Sequence, residues 1–408
     1  MAESAHGGAV PATVPSETAG PKARSSATAV AGPPSPAGRV RRARRWMALA
    51  AVVTLLLGVA VSCVRGRSAD TDEPHVNAPA WRAPSASEPT LRGLALPNVR
   101  MGTAVDDRLL AEDERYRTTL ASQFNAITPE NAMKWSVLEP APDHYDWGAA
   151  DRLVEFAEAN GQAVYGHTLV WYGSLPSWID ESWSPSQVRA VLRKHVTTVA
   201  SRYRGRVWAW DVVNEVLAED GSLRDTIWLR KLGPGYIADA FRWAREADPD
   251  ARLFINEYGT EGRTKKSDAL WRLVRDLRAQ GVPIQGVGFQ SHLRADQPPT
   301  DILGNLRRFA ALGVVVAVTE LDVRLKLPAT PEKLVSQASL YQRVLAACLA
   351  VPTCESFTVW GFTDAGSWIP HRYQGYGAAC VFDMGMRPKP AHGALVAELR
   401  ERESASPG

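Results

Sequence analysis

The sequence predicts a (β/α)8 barrel, and three observations carry that expectation. From about residue 92 onward, eight short apolar or β-branched runs recur, each ending in polar residues. Segments with apolar residues at three- and four-residue spacing separate them, the alternation of a parallel sheet with crossover helices. No Gly-rich phosphate loop follows the first run, which removes the main support for an open doubly wound sheet. Eight such units in about 310 residues suit one closed barrel around a single core.

The elements before the barrel differ sharply in composition. Residues 1–38 are almost all Ala, Gly, Pro, Ser and Thr and are expected to form an unstructured tail. Residues 39–64 open with Arg39, Arg41, Arg42, Arg44 and Arg45, then run apolar from Trp46 to Val64 with only Thr54 and Ser62 interrupting. A basic stretch followed by a hydrophobic one is an export or anchoring signal. Its length is close to the minimum that spans a bilayer, so cleavage and retention as an anchor both stay open. Ala60-Val61-Ser62-Cys63 resembles a bacterial lipoprotein box, which makes Cys63 a candidate for lipidation, and Arg44-Arg45 loosely resembles a twin-arginine signal. Residues 65–91 are rich in Pro, Ser, Ala and charge and read as a linker, leaving 92–401 for the folded domain and 402–408 for a flexible end.

Within the domain the eight runs are 99–105, 124–130, 163–171, 207–215, 252–258, 286–292, 314–322 and 355–362. Residues 151–157 and 188–203 have helical periodicity, and Ser184-Pro185 supplies a cap followed by a first-turn proline. Cys348 and Cys354 lie six apart ahead of the last run. In an exported chain they are expected to bridge, with a reduced pair as the alternative and Cys380 free and buried.

Charge excludes one class of partner. Residues 1–70 hold nine Lys and Arg against three acids, whereas the remainder holds 38 against 41. The folded part therefore lacks the basic footprint of a nucleic-acid binder. A monomer is expected, touching a membrane only through the N-terminal segment.

In a barrel, the polar residues at the C-terminal strand ends converge on one mouth. Here they are Glu130, Asn131 and Lys134; His167 and Trp171; Asn214 and Glu215; Asn256 and Glu257; Gln290 and His292; Glu320 and Asp322; and Trp360. There is no HExxH pair, no Cys/His set at zinc spacing and no Gly-x-Ser-x-Gly elbow, so neither a metal nor a cofactor is expected. Carboxylates remain as the reactive groups. Two of them can split an acetal, one donating a proton to the departing oxygen and the other attacking carbon or activating water. Indoles offer flat apolar faces to sugar rings, and amides and Lys donate to hydroxyls. The combination points to a carbohydrate.

Seven ordered motifs give this reading a family. TPENAMKW (128–135), GHTLVW (166–171), WDVVNE (210–215), FINEY (254–258), GVGFQSHL (286–293), TELDVR (319–324) and VWGFTDAGSW (359–368) together resemble glycoside hydrolase family 10, the endo-β-1,4-xylanases, over about 92–400. The resemblance implies a retaining double displacement on xylan and xylo-oligosaccharides. Glu215 is then the general acid/base and Glu320 the nucleophile, with His292 and Asp322 behind it. It also implies substrate-binding roles for Glu130, Asn131, Lys134, His167 and Trp171 on the glycone side, for Asn214, Asn256 and Gln290 around the reacting sugar, and for Trp360 and Trp368 as its cover. One departure stands out: family members often have Asn-Asp-Tyr-Asn where this chain has Asn256-Glu257-Tyr258-Gly259, so the final amide is absent. Rival expectations are a related β-glycan or aryl-glycoside hydrolase and a non-catalytic sugar-binding barrel.

Overall fold

The computed structural model describes residues 89–405. The expected tail over 1–38, the basic and hydrophobic segment over 39–64 with Cys63, and the linker as far as residue 88 lie outside them. Among the described residues no helix is long and apolar enough to cross a membrane.

Among the described residues ten strands form in chain order: β1 (Arg100–Val105), β2 (Ala126–Pro129), β3 (Ala163–Gly166), β4 (Val207–Asn214), β5 (Arg252–Glu257), β6 (Gly286–Phe289), β7 (His292–Arg294), β8 (Val315–Lys326), β9 (Cys354–Val359) and β10 (Tyr376–Gly377). Eight of them pair in parallel around a ring, β1 through β6, then β8, then β9, and β9 returns to β1. The eight expected runs are these eight strands. Helices cover the outside of the sheet and the strands' own side chains fill the inside, so the strands read as nearly continuous apolar runs instead of alternating ones.

Local sequence explains where helices start. Ser184 caps the helix Pro185–Arg202 in a capping box: Ser184 Oγ accepts from the Gln187 N–H, and Gln187 Oε1 accepts from the Ser184 N–H at 2.9 Å. That helix buries Val188, Leu192, Val196 and Val199 at helical spacing. The closing helix Pro390–Ala405 runs four residues past residue 401, the expected end of the domain, into the stretch expected to be a flexible end. The Cys348–Cys354 disulfide is present and joins the end of the helix Pro331–Leu349 to the start of β9, while Cys380 is free and buried.

Packing between the sheet and its outer helices is tight enough to demand glycine. A Cβ on Gly166 would stand 2.2 Å from the Trp210 ring, whose indole is fully buried. Emptying that site with Trp210→Ala would cost about 3–5 kcal/mol.

The strand boundaries differ from the expected runs in one place that matters. The sixth run was expected to continue through His292, but β6 ends at Phe289. Ser291 adopts a left-handed backbone (φ 64°), and its N–H is taken by the buried carboxylate of Glu261 at 2.9 Å. The chain steps sideways there and resumes as β7 beside β8, with His292 opposite Asp322. β8 accordingly runs four residues past the expected end of the seventh run, since β7 and β10 pair with its extension.

Candidate active site

The C-terminal ends of the parallel strands open into a cleft of about 780 Å³ lined by acids, amides, imidazoles and indoles. Glu320, in the middle of β8, projects into it with only 4% of its surface exposed. Burying a carboxylate without donors is very unfavourable, and here both oxygens are supplied. Asn256 Nδ2, from β5, donates to Oε1 at 2.6 Å, and His292 Nε2 donates to Oε2 at 3.1 Å. Burial pushes the Glu320 carboxyl up, but the His292 hydrogen bond, the charges of His167 and His292 and the Asn256 bond together hold it below its ordinary value.

His292 is itself held in place. Its Nδ1 lies 2.9 Å from Asp322 Oδ2, and the same oxygen accepts from Trp368 Nε1 at 2.8 Å. Burial acts to lower the imidazole's pKa, yet the carboxylates of Asp322 and Glu320 on either side raise it well above its ordinary value. As an imidazolium, His292 donates from both nitrogens, which is what two flanking carboxylates require. The in-register pairing of β7 with β8 makes this possible.

A second network supports Asn256. Thr319 Oγ1 donates to its Oδ1 at 2.7 Å and thereby fixes which end of the amide faces Glu320. Its Nδ2 also reaches Asp211 Oδ2 at 3.2 Å, and Asp211 takes further hydrogen bonds from Tyr165 Oη (2.6 Å) and His167 Nδ1 (2.8 Å). Gly288 leaves room for this amide, because a Cβ there would stand 2.4 Å from Asn256 Oδ1. His167, Asp211 and Glu320 place a ring nitrogen and two carboxylate oxygens within 4.8 Å of one another, a grouping able to hold a cation; the atoms are engaged in these hydrogen bonds.

Across the cleft mouth the surroundings change. Glu215 follows the last residue of β4 and is half-buried, with a left-handed backbone (φ 58°) that turns it out of the strand row. Its N–H bonds the Asn256 carbonyl at 2.9 Å, and Arg224 Nε donates to its carbonyl at 2.9 Å. The carboxyl accepts from Gln290 Nε2 at 3.2 Å, an amide that also donates to Asn214 Oδ1 at 3.1 Å, and the Tyr172 hydroxyl is its second hydrogen-bond partner. Tyr172, Tyr258 and Glu219 line the cleft nearby. Behind them the buried Glu257 is pushed up to about 7 by burial, against the pull of Lys266 at 3.0 Å.

The remaining expected residues fall into two groups. Glu130, Asn131, Lys134, His167 and Trp171 sit together on one wall: Lys134 Nζ donates to Asn131 Oδ1 at 2.8 Å and lies 5.1 Å from the Trp171 ring centroid. Burial raises Glu130 to about 7, opposed by the charge of Lys134. Trp360 and Trp368 stand beside the histidines, with ring centroids 5.2 Å from His167 and 4.9 Å from His292 respectively. Asn256 is the one that moves role. Expected to touch the sugar, it is fully buried and outside the cleft lining, with its amide turned to Glu320 and Asp211.

Sequence reasoning left out Asp211, Thr319, Tyr172 and Arg324. Asp211 and Thr319 lay inside the quoted motifs, and the strand period of two would have placed Thr319 on the opposite face from Glu320; the register of β8 against β9 shifts between Val318 and Leu321, and Thr319 reaches Asn256 there.

The comparisons with known proteins agree with this geometry. The family model described as Glycosyl hydrolase family 10 matches residues 91–398. The chain belongs to this family. It is 43% identical over 298 residues to an endo-1,4-beta-xylanase of Agaricus bisporus, covering 72% of this chain and 89% of that one. It is 40% identical over 317 residues to endo-1,4-beta-xylanase B of Thermotoga neapolitana, covering 75% and 90%. Among solved structures, native xylanase 10B from Thermotoga maritima superimposes with a TM-score of 0.76 at 40% identity, covering 78% of this chain and all of that one. Xylanase 10B from Thermotoga petrophila, solved in complex with xylobiose, gives 0.76 at 38% identity, covering 78% and 99%. The family 10 assignment thus spans the whole barrel.

Proposed function

We propose that the protein is a retaining endo-β-1,4-xylanase in which Glu320 is the nucleophile and Glu215 the general acid/base. The observation that carries this is the buried, hydrogen-bond-saturated Glu320 carboxylate sharing one cleft with the half-buried, lightly bonded Glu215. In the first step a Glu320 oxygen attacks the anomeric carbon of the sugar beneath Trp360 and Trp368. The bond from that carbon to the leaving oxygen breaks, and the Glu215 proton passes to that oxygen. In the second step Glu215 takes a proton from water, the oxygen of that water attacks the same carbon, and Glu320 departs as carboxylate. Two inversions leave the configuration unchanged.

Asn131, Lys134, Glu130 and Trp171 bind the sugars on the non-reacting side through donors, acceptors and one indole face. Asn214 and Gln290 address the reacting sugar. The Arg-rich and apolar segment over 39–64 supports export, with cleavage, lipidation at Cys63 or retention as an anchor deciding how the enzyme is attached; the Cys348–Cys354 bridge fits an oxidising compartment. The catalytic domain is proposed to act as a monomer.

The decisive experiment follows xylohexaose hydrolysis by proton NMR. The β-anomer should appear first and then mutarotate. First appearance of the α-anomer would replace double displacement with a single inversion, and binding without shortened products would make the barrel a sugar binder. Faster turnover of carboxymethylcellulose than of xylan at matched protein would move the substrate to another β-glycan.

A further inference from the structure

The pairing that brings His292 to Asp322 has a second consequence two residues along. β7 and β8 run in register, so Arg294 lies opposite Arg324. Residues two apart share a face, and like charges directly opposed destabilise a sheet. Arg294 has a counter-charge: its Nε and Nη2 bond the two carboxylate oxygens of Asp296 at 3.0 and 2.7 Å. Arg324 forms no ion pair among the described residues. Its Nη1 donates to the His292 carbonyl at 3.3 Å, and its guanidinium carbon stands 4.2 Å from the Tyr373 ring centroid. Arg372, exposed, has its guanidinium carbon 5.4 Å from the same centroid and likewise forms no ion pair among the described residues.

Arg324, Arg372 and Tyr373 line the cleft beside Trp368, whose ring lies 5.7 Å from that of Tyr373. The neighbouring acids are engaged: Asp296 with Arg294, Asp322 with His292 and Trp368, and Glu320 with His292 and Asn256. Two guanidinium groups therefore frame one aromatic ring at the cleft wall with no direct ion pair of their own among the described residues; Arg324 only shares the field of Asp296, whose oxygens are bonded by Arg294.

We infer that Arg324 and Arg372 form a carboxylate subsite that favours xylan chains carrying uronic acid branches close to the bond being cut. The planar guanidinium fork matches a carboxylate, and the Tyr373 face suits the ring that bears it. This rests on the xylanase reading and adds the class of decoration that the cleft selects. Because the pair is open to solvent, the preference is modest and sensitive to salt.

The test uses the full protein and three substrates: xylo-oligosaccharides with uronic acid branches, the same compounds with each branch carboxyl reduced to an alcohol, and unbranched xylohexaose. The readout is the ratio of kcat/KM for the acidic over the reduced substrate. The wild type should show a ratio of about fivefold, which falls toward one as salt is raised to about 1 M. Arg372→Gln and Arg324→Gln should each lower the ratio, and together abolish it. A wild-type ratio of one, or a ratio kept in both variants, overturns the subsite while cleavage of xylohexaose leaves the xylanase reading standing. Failure of the wild type to cleave any of the three defeats that reading itself.

Discussion

Glu320 and Glu215 occupy the same cleft, but the protein treats them in opposite ways. Around Glu320 it places an amide from β5, an imidazolium from β7 and the charge of His167, then a second layer, Thr319, Asp211, Asp322 and Trp368, that fixes each of those groups. Around Glu215 it places one amide hydrogen, the hydroxyl of Tyr172, a left-handed backbone and an opening to solvent. The difference suits the role proposed for each. A nucleophile must stay ionised and aimed while losing its hydration, so fixed donors replace water. An acid/base must give up a proton and take one back within a single turnover, and a carboxyl saturated with donors could not do the first.

The comparison breaks most severely at the nucleophile. Glu320→Ala should lower kcat on xylan by on the order of 10⁵-fold or more, the scale seen when a covalent nucleophile is removed, with no added anion restoring the retained product. Measuring reducing-sugar release checks it, and survival of near wild-type turnover would refute the assignment. Glu215→Ala comes next, with a loss of about 10² to 10⁴ on xylan. Its signature is uneven. Aryl xylobiosides with good leaving groups need no proton in the first step, so they should give a burst and then stall, and azide should restore turnover as a β-glycosyl azide. Equal losses on both substrate types would place the acid elsewhere.

Much of this could be read from the chain, and the remainder has definable reasons. The eight strands were legible because each apolar run ends in polar residues, and a buried parallel strand has no other reason to do so. Glu215, Glu320, His292 and Asp322 were legible from their motifs and from the two-residue spacing on β8. Asn256 was misread because its neighbours in sequence say nothing of what stands opposite: its fate is set by Thr319, sixty-three residues on, and by the absence of a side chain at Gly288. The break between β6 and β7 was illegible for the same kind of reason. It depends on Glu261 accepting the Ser291 N–H, a contact between loops that no periodicity encodes. The opposition of Arg294 and Arg324 is likewise visible only once β7 is laid against β8.

The finest test of the contrast compares one amide on each side. Asn256→Ala removes a donor to an ionised, buried oxygen, and hydrogen bonds to charged groups contribute enough that kcat/KM should fall about ten- to hundredfold. It should also move the pH profile in a known direction. The acid limb of kcat/KM follows protonation of Glu320, whose folded pKa burial raises but whose donors together depress below the ordinary carboxylate value. Taking one donor away raises it, so the limb shifts to higher pH and the variant loses activity at acidities the wild type tolerates. Gln290→Ala removes the hydrogen bond to Glu215 at 3.2 Å, on the side left open to water. Solvent replaces that bond, so the loss should be only severalfold and the acid limb should stay where it was. If the limb moves as far in Gln290→Ala as in Asn256→Ala, the two carboxyls are not tuned separately, and the division of labour drawn from their surroundings does not hold.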